Sequence, residues 1–255
     1  MSLFTDFNKE YYDAIRATLA GQKSAPRSLA VREVNNYILT LDYINGYQDK
    51  HFVSTLKPFH TRVPYAEAEL AWYLSGSDRI ADLVHPVTRK SFTKLWEQFS
   101  DDGIRVNSAY GQYLFSQRFD MTVPSKHEGD TGYYVTDINQ WIWAVDKLRK
   151  DSDSRQVVLN VNQVKHKAVP TKDFPCCICL QFTIRNGGLC ATVVFRSQDV
   201  NTGLRNDVFT MHGLQMAMAD ELSRPCGRFT NIALNLHLYE RDVEAAEAAL
   251  EAYSA

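Results

Sequence analysis

Nothing in this sequence points to a membrane, to duplex nucleic acid or to a disulfide scaffold. No apolar run reaches the roughly 18 residues that a spanning helix needs, and the start, MSLFTDFNKEYY, lacks the charged-then-apolar pattern of a signal segment. Lys plus Arg total 28 against 30 for Asp plus Glu, giving a net charge of −2 and a sequence pI of 6.4. With no long basic run, no nucleic-acid partner is required, although a few local arginines could still hold a small anion. The five cysteines, an odd number, suit a reducing compartment better than a disulfide framework. The expectation is a soluble cytoplasmic protein with no membrane partner. Repeats, low-complexity stretches and interdomain linkers are also missing, so residues 1–255, which are 45% hydrophobic and 23% charged, are expected to form a single domain.

What is present is an irregular mixture of helix and strand patterns. Phe7 to Leu19 reads as a helix, Val34 to Tyr43 as a strand rich in β-branched and aromatic residues, and Tyr65 to Leu74 as a helix opened by Pro64. A short helical piece surrounds Trp96 before Asp101-Asp102-Gly103 breaks the chain. NSAYGQ (107–112) turns into a further helix, and Pro124 to Gly132 is a loop. Ile138, Trp141, Val145 and Leu148 recur at helical spacing. Gln156 to Val161 and Ile232 to Tyr239 read as strands, Val208 to Leu222 and Val243 to Tyr253 as helices. Without a steady alternation of strand and helix, the expected class is α/β (α+β): a mixed sheet with helices on one side.

The chemistry concentrates between Phe174 and Asp207. Cys176 follows a proline, and Asn186-Gly187-Gly188 separates two apolar runs as a hairpin turn would. The return run delivers Arg196-Ser197-Gln198-Asp199, then Gly203 and Arg205-Asn206-Asp207. A hairpin would bring Arg196 back beside Cys176, where a guanidinium lowers a thiol pKa from its usual value of about 8.5. On local pattern alone Cys176 is also a small buried hydrophobe. A zinc site at Cys176 and Cys179 would have only the distant Cys190 and Cys226 to complete it, so no metal is expected. Glu69 lies among Leu70, Trp72, Tyr73 and Leu74, where it is either a solvent-facing residue or a carboxylate buried for a reason. Asp207 directly precedes an apolar helix and could be its N-cap.

Taken together and in order, these residues resemble the thymidylate synthase superfamily, and within it the phage deoxycytidylate hydroxymethylases. Arg196-Ser197-Gln198-Asp199-Val200 matches R-S-x-D-V, twenty positions after Cys176. Gly203-Leu204-Arg205-Asn206-Asp207 matches the hydroxymethylases' G-x-R-N-D, where synthases have Asn at the last position. Glu69-Leu70-Ala71-Trp72, Trp96 followed by Tyr110-Gly111, Asp153-Ser154-Arg155 and His237-Leu238-Tyr239 complete the set. The resemblance runs over roughly residues 65 to 240. Gln156 departs from a common second Arg and Cys177 from the synthases' His. With sixteen residues after Tyr239, the synthases' long closing tail is expected to be missing.

The resemblance implies covalent catalysis. Cys176 would add to C6 of a pyrimidine so that C5 can attack a one-carbon unit carried by 5,10-methylenetetrahydrofolate. Glu69 would move protons through ordered water, and Tyr110 would assist proton removal from C5. Arg196 and Ser197 would hold the nucleotide phosphate, Arg155 would reach it from the second subunit of a homodimer, and Lys23 and Arg27 could sit on a phosphate loop. His237 and Tyr239 would hold the sugar, while Trp96, Asp199 and Gly203 would contact the folate. Asp207 would read the base: an amide matches uracil's N3–H and O4, whereas a carboxyl sharing a proton matches cytosine's N3 and N4–H₂. The expected activity is that of a dCMP 5-hydroxymethyltransferase in which water traps the methylene. The alternatives are a cytidylate 5-methyltransferase with folate as hydride donor, and a catalytically silent nucleotide-binding protein of the same fold.

Overall fold

A computed structural model of the chain describes residues 7–42, 52–123, 133–168 and 170–254; the expected loop from Pro124 to Gly132 lies outside them. The elements in chain order are α1 (Phe7–Leu19), β1 (Gln22–Ser24), β2 (Val31–Leu41), α2 (Val63–Leu74), α3 (Gly111–Phe115), β3 (Gln117–Val123), β4 (Tyr133–Ile138), α4 (Gln140–Lys150), β5 (Val158–Asn160), β6 (Cys177–Arg185), β7 (Gly188–Phe195), β8 (Gln198–Asp199), α5 (Arg205–Glu221), β9 (Cys226–Tyr239) and α6 (Val243–Ser254). Seven strands form one mixed sheet in the order β1-β2-β9-β7-β6-β5, with β8 also on β9, while β3 and β4 pair apart from it. Most neighbours are antiparallel, but β7 and β8 run parallel to β9.

The helices cover one face of this sheet, as a period-two burial pattern requires. Leu180, Phe182, Ala191, Val193, Phe229, Asn231 and Leu39 are all buried. Strand register puts them side by side: Leu39 opposite Asn231, Val193 beside Asn231 and opposite Leu180, and Phe182 opposite Ala191. On that face Trp141 of α4 meets Phe182 edge-on at 6.0 Å, and His212 of α5 meets Phe229 at 6.0 Å. The alternate positions, including Gln181, Thr192, Val194, Ile232 and Ile38, form the opposite face. No helix of the described residues packs there, and Ile38 is 60% exposed.

Three local expectations change. Ile138 ends β4 and is not part of the following helix, because Asn139 caps α4 by accepting from the Ile142 N–H at 2.9 Å. The helix after NSAYGQ is a single short turn, α3. The apolar helix expected from Val208 begins at Arg205, because a wide π-type turn over Val200–Leu204 feeds directly into it. Asp199 is the residue that caps this turn, accepting from the Asn201 and Thr202 N–H groups, so Asp207 lies within the first turn of α5 and is not an N-cap.

Candidate active site

The hairpin β6–β7 brings the thiol and its cation together. Asn186 and Gly187, with φ of 51° and 81°, make the turn, and Gly188 already belongs to β7. The ladder closes where the Arg196 N–H donates to the Cys176 carbonyl at 2.8 Å. The guanidinium then folds back over the loop: Nε donates to Pro175 O at 3.0 Å, Nη2 to Phe174 O at 2.8 Å, and Nη2 stands 3.6 Å from Cys176 Sγ. The Arg196 contact was foreseen, but its net effect was not. Burial raises the Cys176 pKa, and the carboxylates of Asp207 and Asp173 add to the rise, so together they outweigh the lowering by Arg196 and Arg27. The resting surroundings therefore favour the protonated thiol. Cys177, beside it, is fully buried and donates its N–H to the Tyr110 hydroxyl at 3.2 Å.

Glu69 is 4% exposed, so the solvent-facing alternative is excluded. Tyr65 Oη donates to Oε1 at 2.7 Å and Thr210 Oγ1 to Oε2 at 2.9 Å. Burial, then the charge of Asp207, raises its pKa to about 7 despite these donors and a further bond from Tyr73. Tyr65 also accepts from Trp96 Nε1 at 3.2 Å, joining the half-buried Trp96 to Glu69 through one hydroxyl. Pattern reading overlooked Tyr65 and Thr210. Tyr65 stands one helical turn before Glu69 and was detectable by its i, i+4 spacing, whereas Thr210 is distant in sequence.

Tyr110 approaches the thiol because α3 lies very close to α2. A Cβ at Gly111 would sit 1.9 Å from the Tyr73 carbonyl oxygen, so only glycine fits after Tyr110. Asp207 contributes a second carboxyl group. Gln198 Nε2 donates to its Oδ2 at 2.8 Å, and burial raises its pKa to about 6 against that bond. Its charge opposes ionisation of Glu69, Cys176 and Tyr110 alike.

The remaining expected residues are arranged less evenly. Ser197 Oγ lies 3.5 Å from His237 Nδ1, and Tyr239 meets the His237 ring edge-on at 5.3 Å. Arg27 is exposed with a left-handed φ of 50°, and Lys23 pairs with Glu240 at 3.8 Å. Asp199, as the cap of the π-type turn, already accepts three hydrogen bonds. Gly203 packs against the Asp207 carboxyl: a Cβ there would be 3.2 Å from its Oδ2. Arg155 is not gathered in. It is exposed just before β5, where its carbonyl oxygen accepts from Gln181 on the uncovered sheet face at 3.4 Å.

Comparison with known proteins places the whole chain. A model described as thymidylate synthase matches residues 9–254. A protein of Bacillus phage SP01 named deoxyuridylate hydroxymethyltransferase is 27% identical over 242 residues, which cover 92% of this chain and 57% of the phage protein. The chain thus spans a little over half the length of that relative.

Proposed function

The chain belongs to the thymidylate synthase family, matched over residues 9–254, and on that footing we propose that it attaches a hydroxymethyl group to C5 of a pyrimidine deoxynucleoside monophosphate. The observation that carries the reading is the meeting of Cys176 Sγ with Arg196 at 3.6 Å, next to a Cys177 N–H that donates to Tyr110, with the buried carboxyl of Glu69 and that of Asp207 near enough for the Asp207 charge to act on both Glu69 and the thiol. 5,10-Methylenetetrahydrofolate, when bound, supplies the one-carbon electrophile. The residues fit such a ligand: half-buried Trp96 offers a π-face beside the Glu69 carboxyl, to which Tyr65 already links it. Asp199 retains a lone pair on Oδ1 for a pterin N–H.

The chain's own groups then have defined tasks. Arg196 stabilises the Cys176 thiolate that adds to C6, and its remaining N–H groups, with Ser197, hold the phosphate. Glu69, with a pKa near neutrality, gains and loses a proton within the working range of an acid–base catalyst. The Tyr110 hydroxyl, already accepting from Cys177, directs its own proton toward the C5 region. His237 and Tyr239 hold the sugar. Arg155, standing on the uncovered sheet face, serves the phosphate site of a second subunit in a homodimer formed through that face.

Cytidylate is the preferred substrate on the strength of Asp207, whose carboxyl can donate to N3 and accept from N4–H₂ of cytosine. A second reading is favoured by the name of the phage relative, a deoxyuridylate hydroxymethyltransferase: the same chemistry on dUMP. Incubation of the protein with dCMP, CMP or dUMP, methylenetetrahydrofolate and formaldehyde, read by mass, tests all of this. A hydroxymethyl adduct on dCMP is expected. A methyl adduct would replace this reading with hydride transfer from the folate, and the absence of any adduct would leave a silent nucleotide-binding protein.

A further inference from the structure

Asp207 does not stand alone. Gln198 on β8 is 3% exposed and Asn231 on β9 is fully buried. Asn231 Nδ2 donates to Gln198 Oε1 at 2.8 Å, and Gln198 Nε2 donates to Asp207 Oδ2 at 2.8 Å, with a weaker approach to Asn231 Oδ1 at 3.5 Å. Turning the Gln198 amide over by itself would set its oxygen against two other oxygens and its nitrogen against another nitrogen. The two amides therefore form a directed relay that ends on one specific oxygen of the carboxyl. Gly203 leaves room for it, since a Cβ there would stand a tight 3.2 Å from Asp207 Oδ2.

We propose that Gln198, held by Asn231, is the positioning residue that sets base specificity, by fixing Oδ2 of Asp207 as an acceptor and directing any proton onto Oδ1. This deepens the function proposed above and rests on Asp207 as the base reader. The physical reason lies in the edges of the two bases. A neutral carboxyl offers one donor and one acceptor; cytosine needs the donor at N3 and the acceptor at its 4-position, and uracil needs the reverse. A carboxyl free to carry its proton on either oxygen satisfies both bases. One whose Oδ2 is already committed as an acceptor satisfies one base and leaves a buried pair mismatched with the other, which is how hydrogen-bonding sites discriminate strongly. Burial raises the Asp207 pKa to about 6, which eases the uptake of a proton when a base that needs a donor binds.

The test is calorimetric binding of dCMP and dUMP to the wild-type protein, to Gln198→Met and to Asn231→Leu, with melting curves to establish that each variant folds. Both substitutions keep the side-chain skeleton of the original, with Leu somewhat bulkier than Asn; the first removes the donor, and the second releases the Gln198 amide to turn. The expected result is that wild type prefers one nucleotide and that this preference falls about tenfold or more in Gln198→Met, and less in Asn231→Leu, as loss of one hydrogen bond to a charged or proton-sharing group would produce. The loss should come mainly from tighter binding of the disfavoured base. A purely structural role would weaken both nucleotides equally and leave their ratio unchanged, which would overturn the proposal. Equal binding of dCMP and dUMP by wild type would overturn it as well. Turnover read in parallel separates the two ideas: a discriminating protein that makes no product keeps this inference and removes the proposed activity. If Gln198→Met does not fold, Asn231→Leu decides alone, and an unchanged ratio there overturns the proposal.

Discussion

Glu69 is held where an ionised carboxylate is costly, and that cost has a pH signature. Its pKa rises from 4.5 to about 7 because burial and the Asp207 charge oppose ionisation. The folded state therefore binds this proton more tightly than the unfolded chain does. The penalty is absent below pH 4.5, grows through the window and is complete above about 7. Its size is on the order of 3 kcal/mol. Glu69→Gln should accordingly melt higher than wild type at pH 8 and no higher at pH 4, while turnover falls by about 10²-fold or more. Equal melting shifts at both pH values would count against a buried, proton-holding Glu69. At the thiol, Cys176→Ser should lose turnover yet still bind nucleotide by calorimetry, whereas Cys177→Ser should retain turnover. The reverse outcome would move the nucleophile to Cys177. Asp207→Asn cannot share a proton with cytosine N3 and should shift kcat/KM away from dCMP toward dUMP; an unchanged substrate ratio would remove Asp207 from base reading.

The elements that carry these groups are set by close approach as much as by pattern. Helices α2 and α3 touch at Tyr73 and Gly111, where a methyl group would fall 1.9 Å from a carbonyl oxygen. Gly111→Ala must push backbone against backbone. It should destabilise by about 1–3 kcal/mol or more, and should also displace Tyr110 from the Cys177 N–H it now accepts at 3.2 Å. Denaturant titration with a turnover assay checks both effects. Full activity at wild-type stability would mean that the two helices slide apart without cost to the site.

Across the whole molecule, the asymmetry of the sheet is the dominant feature. One face is covered by α1, α4 and α5. The other carries Ile38 and Leu234, which are 60% and 40% exposed, together with Val194, Ile232 and a band of threonines. The proposed homodimer would bury this face and bring Arg155 to the phosphate site of its neighbour. Two inactive variants should then complement. Mixing Arg155→Ala with Cys176→Ser under exchange conditions should restore part of wild-type activity, because the heterodimer contains one site with an intact thiol and a partner arginine. No recovery, with exchange demonstrated, would assign Arg155 to its own subunit or to no site. Ile38→Lys should lower the sedimenting mass to that of a monomer.

Local chemistry made much of this protein legible in advance. The α1 boundaries, the β6–β7 hairpin and the order of the motif residues follow from periodicity, turn residues and spacing, which act over a few positions at a time. Even the meeting of Arg196 with Cys176 followed from a hairpin returning on itself. Only the folded arrangement decided the sign of the Cys176 shift, because desolvation depends on what packs over the thiol and not on which cation stands next to it. Burial of Glu69 likewise required α5 to lay Thr210 across α2. Asp207 could be separated from a helix cap only once the π-type turn had moved the start of α5 back to Arg205. The clamp on its carboxyl joins β8, α5 and β9 through Gln198 and Asn231, whose side chains meet across 33 positions of sequence, and a hydrogen bond of that span leaves no periodicity to read.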